Sequence, residues 1–190
     1  MKKIKFFVLL CLVCNLEMVH AQVLQFNKAE VSFLLEAPAG SLTAKNKSLT
    51  GSIDITGNTF RVKVNVAAFR FDSETLPERI NDYTSQRFHM YYMQSEKFPE
   101  AGYTGLINGK SISWTKDGTY KATTNGTLTI HGVSQPAEIP ITVTIKNGRY
   151  SVDAEFIVAT KDFGIRLPAS VKALFFQNVA VRVKSDLIKM

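Results

Sequence analysis

Histidine and cysteine could most directly supply catalysis or metal binding, and this chain has few of them. Its two cysteines, Cys11 and Cys14, form a C-x-x-C pair, and its three histidines are His20, His89 and His131. The H-E-x-x-H and H-x-x-x-H patterns of metal sites do not occur, and neither does the G-x-S-x-G motif of a nucleophilic serine. The sequence therefore predicts neither a metal site nor a cofactor.

His131 lies in a predicted turn, close to Ser134, and allows two interpretations. Its imidazole could act as a general base toward Ser134 or contact the head group of a ligand, or it could stabilise the turn by a hydrogen bond to the backbone. We favour the backbone bond, because nucleophilic catalysis also needs an orienting acid and an oxyanion site. We predict no catalytic residue, and we place His89 on a helix as a surface or hydrogen-bonded residue.

The N-terminal segment, residues 1–21, has the pattern of a secretory signal peptide. Three lysines within the first five residues precede an apolar stretch over residues 4–14, which is shorter than the roughly 18 residues of a membrane-spanning helix. Val19 and Ala21 are small enough to flank a cleavage site, so we expect a mature chain of residues 22–190. The predicted location is periplasmic or secreted, with no stable transmembrane segment.

Both cysteines lie inside this signal peptide, so the mature chain would contain no thiol, disulfide or cysteine ligand. A rival interpretation makes Cys14 the lipidated N-terminus of a lipoprotein. The preceding Cys11-Leu12-Val13 fits poorly with the leucine followed by small residues that such signals use. Lipoprotein anchoring is therefore the less favoured alternative.

The formal net charge is +7, from 23 Lys+Arg against 16 Asp+Glu, but the basic residues are scattered along the chain. Arg61 and Lys63 alternate with Phe60, Val62 and Val64, which predicts a strand with a solvated outer face. No run of five basic residues occurs. We therefore predict neither nucleic-acid binding nor an anionic-membrane patch.

Apolar residues alternate with polar ones through most of the mature chain, which predicts antiparallel strands. The alternating runs cover residues 53–55, 60–66, 128–130, 139–145, 150–158 and 179–183. Dipeptides that favour tight turns separate many of them: Gly57-Asn58, Asn108-Gly109, Asp117-Gly118 and Asn147-Gly148. We expect consecutive strands to pair as hairpins.

Residues 73–94 depart from this alternation. Their larger side chains recur at steps of three and four, which predicts one helix: Leu76, Ile80, Tyr83, Arg87, Phe88, Tyr91 and Tyr92. Ser73 or Thr75 could cap its start, with Pro77 near the first turn.

Many short antiparallel strands and one helix favour an all-β fold, either a barrel of about eight strands or a two-sheet sandwich. A closed barrel leaves no exposed strand edge, and one of about eight strands encloses room for a small ligand. Periodicity alone does not separate the barrel from the sandwich.

Several motifs, in the right order, closely resemble those of the YceI-like family of exported lipid-binding proteins. The most specific is GTLTIHGVSQP at residues 126–136, followed by an alternating strand. Shorter matches occur at residues 31–33, 49–54, 95–99 and 162–165, and the resemblance runs from about residue 26 to residue 184.

The resemblance implies one domain over residues 22–190, an extended lipocalin-like antiparallel β-barrel with one inserted α-helix, and no catalysis. The implied partner is a polyisoprenoid or similar long apolar lipid in the barrel interior. Two alternatives are an envelope stress or structural protein without a defined ligand, and an enzyme that acts on an isoprenoid lipid.

Strand parity, combined with this resemblance, predicts which side chains line the interior. The helix is expected to cover one barrel opening with its aromatic face. The predicted ligand-binding residues are Phe60, Val62, Val64, Val66, Phe88, Tyr91, Tyr92, Leu128, Ile130, Phe156 and Val158.

Overall fold

Ten antiparallel strands form one sheet within the part of the chain that the computed structural model describes, residues 22–37, 40–72, 77–108, 112–166 and 178–190. The predicted signal peptide, with its two cysteines, lies outside these residues. The strands are β1 (Val23–Ala37), β2 (Gly40–Asn46), β3 (Thr50–Asp54), β4 (Thr59–Asn65), β5 (Arg70–Asp72), β6 (Glu100–Ile107), β7 (Gly118–Ile130), β8 (Val133–Lys146), β9 (Arg149–Ala159) and β10 (Asn178–Lys189).

Pairing between the first and last strands closes the sheet into a barrel. One edge of β1 pairs with β10, from Leu24 opposite Lys189 to Phe33 opposite Val181. The other edge pairs with β3 near the start of β1 and with β2 near its end. The closed circuit of eight strands is β1, β3, β4 and β6 to β10, while β2 and β5 extend the sheet beyond it. This confirms the predicted all-β barrel and excludes the sandwich.

Hairpin loops follow the predicted turn chemistry in part. Asn147 and Gly148 have φ of 51° and 73° and form the two-residue loop between β8 and β9. His131 and Gly132, with φ of 52° and 74°, form an equivalent loop between β7 and β8. Most consecutive strands pair as expected, but β2 and β3 do not pair with each other, since β1 pairs with both. Around the helix, β4 pairs with β6 and β5 pairs with β2. The inserted helix separates β5 from β6, so the neighbour of β4 comes from further along the chain.

The predicted helix is shorter and less regular than its sequence pattern suggests. Helix α1 spans Glu78–Arg87 and follows Pro77, and the chain then continues as a π-helical turn over Phe88–Tyr92. The proposed caps Ser73 and Thr75 lie outside the described residues. Two short 3-10 turns, Val66–Ala68 and Thr160–Phe163, lie elsewhere in the described chain. No helix in the described ranges has the length and apolar character needed to cross a membrane.

One half of the barrel interior is packed solid. Its core side chains come from β1, β3, β6, β10 and the β8–β9 hairpin: Leu24, Ile53, Ile107, Ile141, Val143, Ile145, Tyr150, Val152 and Leu187. Residues 112–117, which precede β7, lie against this end: Ile112 is buried, and the Tyr150 hydroxyl donates to the Trp114 carbonyl oxygen at 3.2 Å. We call this the packed end.

A layer centred on Tyr103 bounds the packed half. The phenol donates to Thr124 Oγ1 at 2.9 Å, and that hydroxyl donates to the Ile139 carbonyl oxygen at 3.1 Å. Both side chains are buried, so their polar atoms are satisfied within the barrel. The Tyr103 ring lies over Gly105, where an added Cβ would come within 2.4 Å of the phenolic oxygen.

Gly105 is opposite Gly126 across the β6–β7 pair, and this approach is too close for larger residues. A Cβ on Gly126 would lie 2.1 Å from the Thr104 carbonyl oxygen and 2.4 Å from the Gly105 Cα. The two glycines therefore allow β6 and β7 to approach closely at this point, and the Tyr103 ring packs over Gly105.

We predict that Gly126→Ala lowers the free energy of unfolding by about 2–3 kcal/mol, because backbone atoms must move to admit the methyl group. Gly148→Asn is the control, since no atom lies within 4 Å of its added Cβ and asparagine tolerates the left-handed conformation. Denaturant unfolding measures both. Equal losses in the two variants would contradict the steric argument.

Candidate functional site

The other half of the barrel encloses a cavity of about 180 Å³. Its walls come from strands β1, β4, β6, β7, β9 and β10, and the surface that they present to the cavity is made of apolar atoms alone. Tyr103 and Ile139 contribute to its lining, so the hydrogen-bonded layer around Tyr103 forms the floor. An apolar space of this kind accepts hydrocarbon and disfavours unpaired polar groups.

The alternation in the strands places the predicted wall residues inward. On β4 and just after it, Phe60, Val64 and Val66 are buried, while Arg61 and Lys63 are exposed. The side chains of β7 and β9 follow the same parity. Every strand residue in the predicted set lines the cavity, as do two aromatics from the helical segment: Phe60, Val62, Val64, Val66, Leu128, Ile130, Phe156, Val158, Phe88 and Tyr92.

Tyr91 is the exception and corrects the predicted helix face. It does not line the cavity, and 60% of the residue is exposed. The π-helical turn places more residues in each turn than an α-helix, which carries Tyr91 further round the axis from Phe88 while leaving Tyr92 beneath it. The Arg87 guanidinium carbon lies 5.6 Å from the centre of the Tyr91 ring, on the outer side of the segment.

Sequence reasoning missed a second group of lining residues. On β10, the alternation was identified but no inward face was assigned to Val179, Val181 and Val183. On β1 and β6, no alternating run had been identified, and the lining residues there are Val31, Phe33, Ala101 and Tyr103. Phe71 lies on the three-residue strand β5, which is too short to show a period. The others lie in irregular segments, where no period shows which side chain faces inward: Phe69, Met93 and Ile165.

Four phenylalanines from three parts of the chain meet at the open end of the cavity, and we call them the mouth cluster. Phe33 lies on β1, Phe69 precedes β5, Phe71 lies on β5 and Phe88 begins the π-helical turn. Phe88 has ring-centre distances of 5.8, 5.6 and 5.1 Å to Phe33, Phe69 and Phe71. The contacts with Phe69 and Phe71 are edge-to-face, a geometry that stabilises aromatic pairs beyond the burial of their surface. Phe88 thus anchors the helical segment across the mouth.

His89 fixes the same segment by polar contacts. Its Nε2 lies 3.1 Å from the Phe69 carbonyl oxygen, which only accepts, so Nε2 carries the proton. Its Nδ1, 3.0 Å from Ser95 Oγ, then accepts from that hydroxyl. Burial lowers the pKa of His89; the Phe69 carbonyl opposes this shift, and the positive charge of Arg70 adds to it. The predicted hydrogen-bonded role of His89 is confirmed.

Arg87 is held in place by the tyrosines around it. The Tyr83 hydroxyl accepts a hydrogen bond from its guanidinium. Hydrogen bonds with the hydroxyls of Tyr92 and then Tyr83 raise the pKa of Arg87. Tyr92 lines the cavity and Tyr83 is exposed, so the guanidinium lies between the cavity wall and the outer surface.

His131 has the structural role favoured above. Its ring centre lies 4.3 Å from that of Phe98, and Nδ1 is 3.3 Å from the Phe163 carbonyl oxygen. Ser134 Oγ instead pairs with Thr129 Oγ1 at 2.8 Å, so no histidine–serine pair forms. Within the described ranges, no group of three or more His, Cys, Asp or Glu side chains could hold a metal ion.

The fold and the cavity define a class of protein, the lipocalin-like antiparallel barrel with an apolar interior site. The chain matches the model of the YceI-like domain over residues 20–187, so it belongs to the YceI-like family. The resemblance noted in the sequence is therefore confirmed. No curated protein matches the chain.

Solved structures of low sequence identity share this fold. A polyisoprenoid binding domain from Saccharophagus degradans, implicated in plant cell wall breakdown, is 14% identical with a TM-score of 0.70, over 90% of this chain and 99% of that one. BcnA from Burkholderia cenocepacia is 14% identical with a TM-score of 0.59, over 85% of this chain and 96% of that one.

We predict that acidification destabilises the mouth through His89. The unfolded chain binds a proton at a pKa of about 6.5, whereas the folded environment lowers that pKa. The contribution of neutral His89 to the free energy of unfolding is therefore complete above about pH 6.5, and it is lost as the pH falls toward the folded-state pKa. Unfolding free energies of wild type and His89→Gln, measured from about pH 7.5 to about pH 5, should converge as the pH falls. A pH-independent difference would contradict this prediction.

Proposed function

We propose that the protein is an exported binding protein that holds a polyisoprenoid or similar long apolar lipid in its barrel and does no chemistry on it. The observation that carries the proposal is the cavity, whose walls present apolar atoms alone. Belonging to the YceI-like family supports a binding role. The Saccharophagus degradans structure is of a polyisoprenoid binding domain, and this supports the choice of ligand class.

The physical basis is removal of hydrocarbon from water. Each Å² of apolar surface transferred into the cavity contributes about 25 cal/mol, so the binding free energy becomes more favourable as more of the hydrocarbon chain is buried. A polar ligand would lose its hydrogen bonds to water without finding partners on the walls. The site thus selects by the absence of polar atoms rather than by specific recognition, which suits a chain of repeating hydrocarbon units.

The shape of the interior sets the direction of entry. Tyr103 and its partner Thr124 close the floor, and the packed half lies beyond them. A lipid therefore enters from the end occupied by the mouth cluster, with its apolar tail directed toward Tyr103. Any polar head group would remain near the mouth, outside the apolar walls.

Each predicted wall residue then has a role in this proposal. The aliphatic side chains of β4, of the turn that follows it, and of β7 and β9 contact the tail along its length: Val62, Val64, Val66, Leu128, Ile130 and Val158. Phe60 and Phe156 supply broad aromatic surfaces within the walls, while Phe88 and Tyr92 contact the tail at the mouth. Tyr91 has no contact with the tail, because it lies outside the cavity.

We predict that Ala101→Phe fills the cavity and reduces co-purified lipid roughly tenfold. Ala101 lines the cavity on β6, so the added ring takes space that the tail would occupy. Ala180→Phe is the matched control, since Ala180 is exposed on β10. Native mass spectrometry of each purified protein, followed by solvent extraction and lipid mass spectrometry, measures the bound lipid.

Val64→Asp is a second variant that should also reduce the bound lipid, because it places an unpaired carboxylate in the apolar wall. Circular dichroism verifies that the compared variants are folded. Equal lipid content in Ala101→Phe and Ala180→Phe would refute the cavity assignment. Wild-type protein without any bound lipid would favour the alternative of an envelope protein without a defined ligand, and a chemically altered lipid would favour the enzyme.

Export is tested separately. We predict that the protein recovered from the periplasm or the medium begins at Gln22 and is not acylated, because residues 1–21 have the features of a cleaved signal peptide. N-terminal sequencing and intact mass measure this. A lipid-modified Cys14 at the N-terminus would instead support the lipoprotein alternative.

A further inference from the structure

Beside the mouth cluster, three exposed side chains lie on the helical segment around Arg87. Tyr83, Met90 and Tyr91 are 54%, 57% and 60% exposed. The Arg87 guanidinium carbon lies 5.1 Å from the Tyr83 ring centre and 5.6 Å from that of Tyr91, and so joins the two rings. Met90 precedes Tyr91 on the π-helical turn. We call these four residues the rim patch.

The rim patch and the cavity lie on opposite sides of one short segment. Phe88 and Tyr92 line the cavity, while Met90 and Tyr91 between them face outward. Isolated exposed apolar residues are common on protein surfaces. Here Met90 and two tyrosines are exposed together at the opening of an apolar cavity, and clustered exposure of this kind is typical of an interaction site. Tyrosine concentrates where a membrane meets water, because its ring is apolar and its hydroxyl is polar.

The charged group in direct contact with the exposed rings of the patch is the Arg87 guanidinium, which is positive. From Tyr83 to Gln94 the chain contains Arg87 and no acidic residue. Arg70, exposed on β5, is close enough to His89 to lower the pKa of that imidazole, so a second cation lies at the same rim. The acidic residues of α1 are Glu78 in its first turn and Asp82 at its middle, next to Tyr83, so the positive charge lies at the Arg87 end of the helix. Cations beside exposed aromatic and aliphatic side chains complement the headgroup layer of an anionic membrane.

We propose that the rim patch docks onto membranes that contain anionic lipids. The sequence predicted no such patch, because its basic residues are scattered, but the fold places Arg87 and Arg70 at the same rim as Met90 and Tyr91. Met90 and Tyr91 enter the headgroup region, Arg87 pairs with lipid phosphates, and the cavity mouth faces the bilayer. The inference rests on the proposed function for its purpose, since a lipid could then pass between bilayer and cavity without crossing water. Docking itself is measurable whatever the cavity holds.

The test is co-sedimentation of the purified protein with vesicles of phosphatidylglycerol and phosphatidylethanolamine, compared with vesicles of phosphatidylcholine alone. Wild type should bind the anionic vesicles more tightly, and salt should weaken that binding. The double variant Met90→Ser/Tyr91→Ser should bind roughly tenfold more weakly, and Arg87→Gln about fivefold more weakly. The control is Leu106→Ser/Ile188→Ser, which alters residues 56% and 49% exposed near the packed end and should bind like wild type.

Three results would overturn the proposal: no binding by wild type, equal binding to both kinds of vesicle, or equal losses in the rim and control variants. Arg87→Gln changes a single side chain of the rim patch and keeps the proposal testable even if the double variant misfolds. Native mass spectrometry of the same proteins separates the two proposals. Vesicle binding by a protein without bound lipid would refute the proposed function alone, whereas bound lipid without vesicle binding would refute docking alone.

Discussion

The pairing of β1 with β10 is the constraint on which the rest of the structure depends. It joins the two ends of the described chain, with Val31 opposite Val183 and Phe33 opposite Val181. Without this pairing, the sheet would have two long free edges and no enclosed interior. The bulge at Lys28, whose φ is 51°, shifts the register within this pair and lets β1 bend with the barrel. The cavity exists because these strands close around it.

The interior of the closed barrel has two halves, one filled by core side chains and one that contains the cavity. The packed half supplies the burial that stabilises the fold, and the hydrogen-bonded layer of Tyr103 and Thr124 ends it without leaving an unpaired hydroxyl. The side chains that line the cavity beyond this layer have fewer packing contacts than those of the packed half. An apolar ligand would restore some of those contacts. The half of the barrel with fewer packing contacts is therefore the half that we propose binds lipid.

The helical segment links the interior to the surface because it has two different faces. Phe88 packs into the mouth cluster and His89 bonds to the Phe69 carbonyl, so the segment is held by both apolar and polar contacts. Its outer face carries Tyr91 against Arg87. A change at the mouth would therefore alter both the closure of the cavity and the surface presented to a membrane.

The sequence by itself determined strands β3, β4 and β7 to β10, some of the turns, and the inward parity of β4, β7 and β9, since alternation is a local property of each strand. It placed Val64 inward and Arg61 outward without knowledge of any partner strand. Only the tertiary structure decided how far along the barrel each inward residue lies, and that position separates packed Val143 from cavity-lining Val64. It also turned Tyr91 outward, because the π-helical turn departs from the regular period. The mouth cluster joins segments distant in sequence, so no local pattern could reveal it.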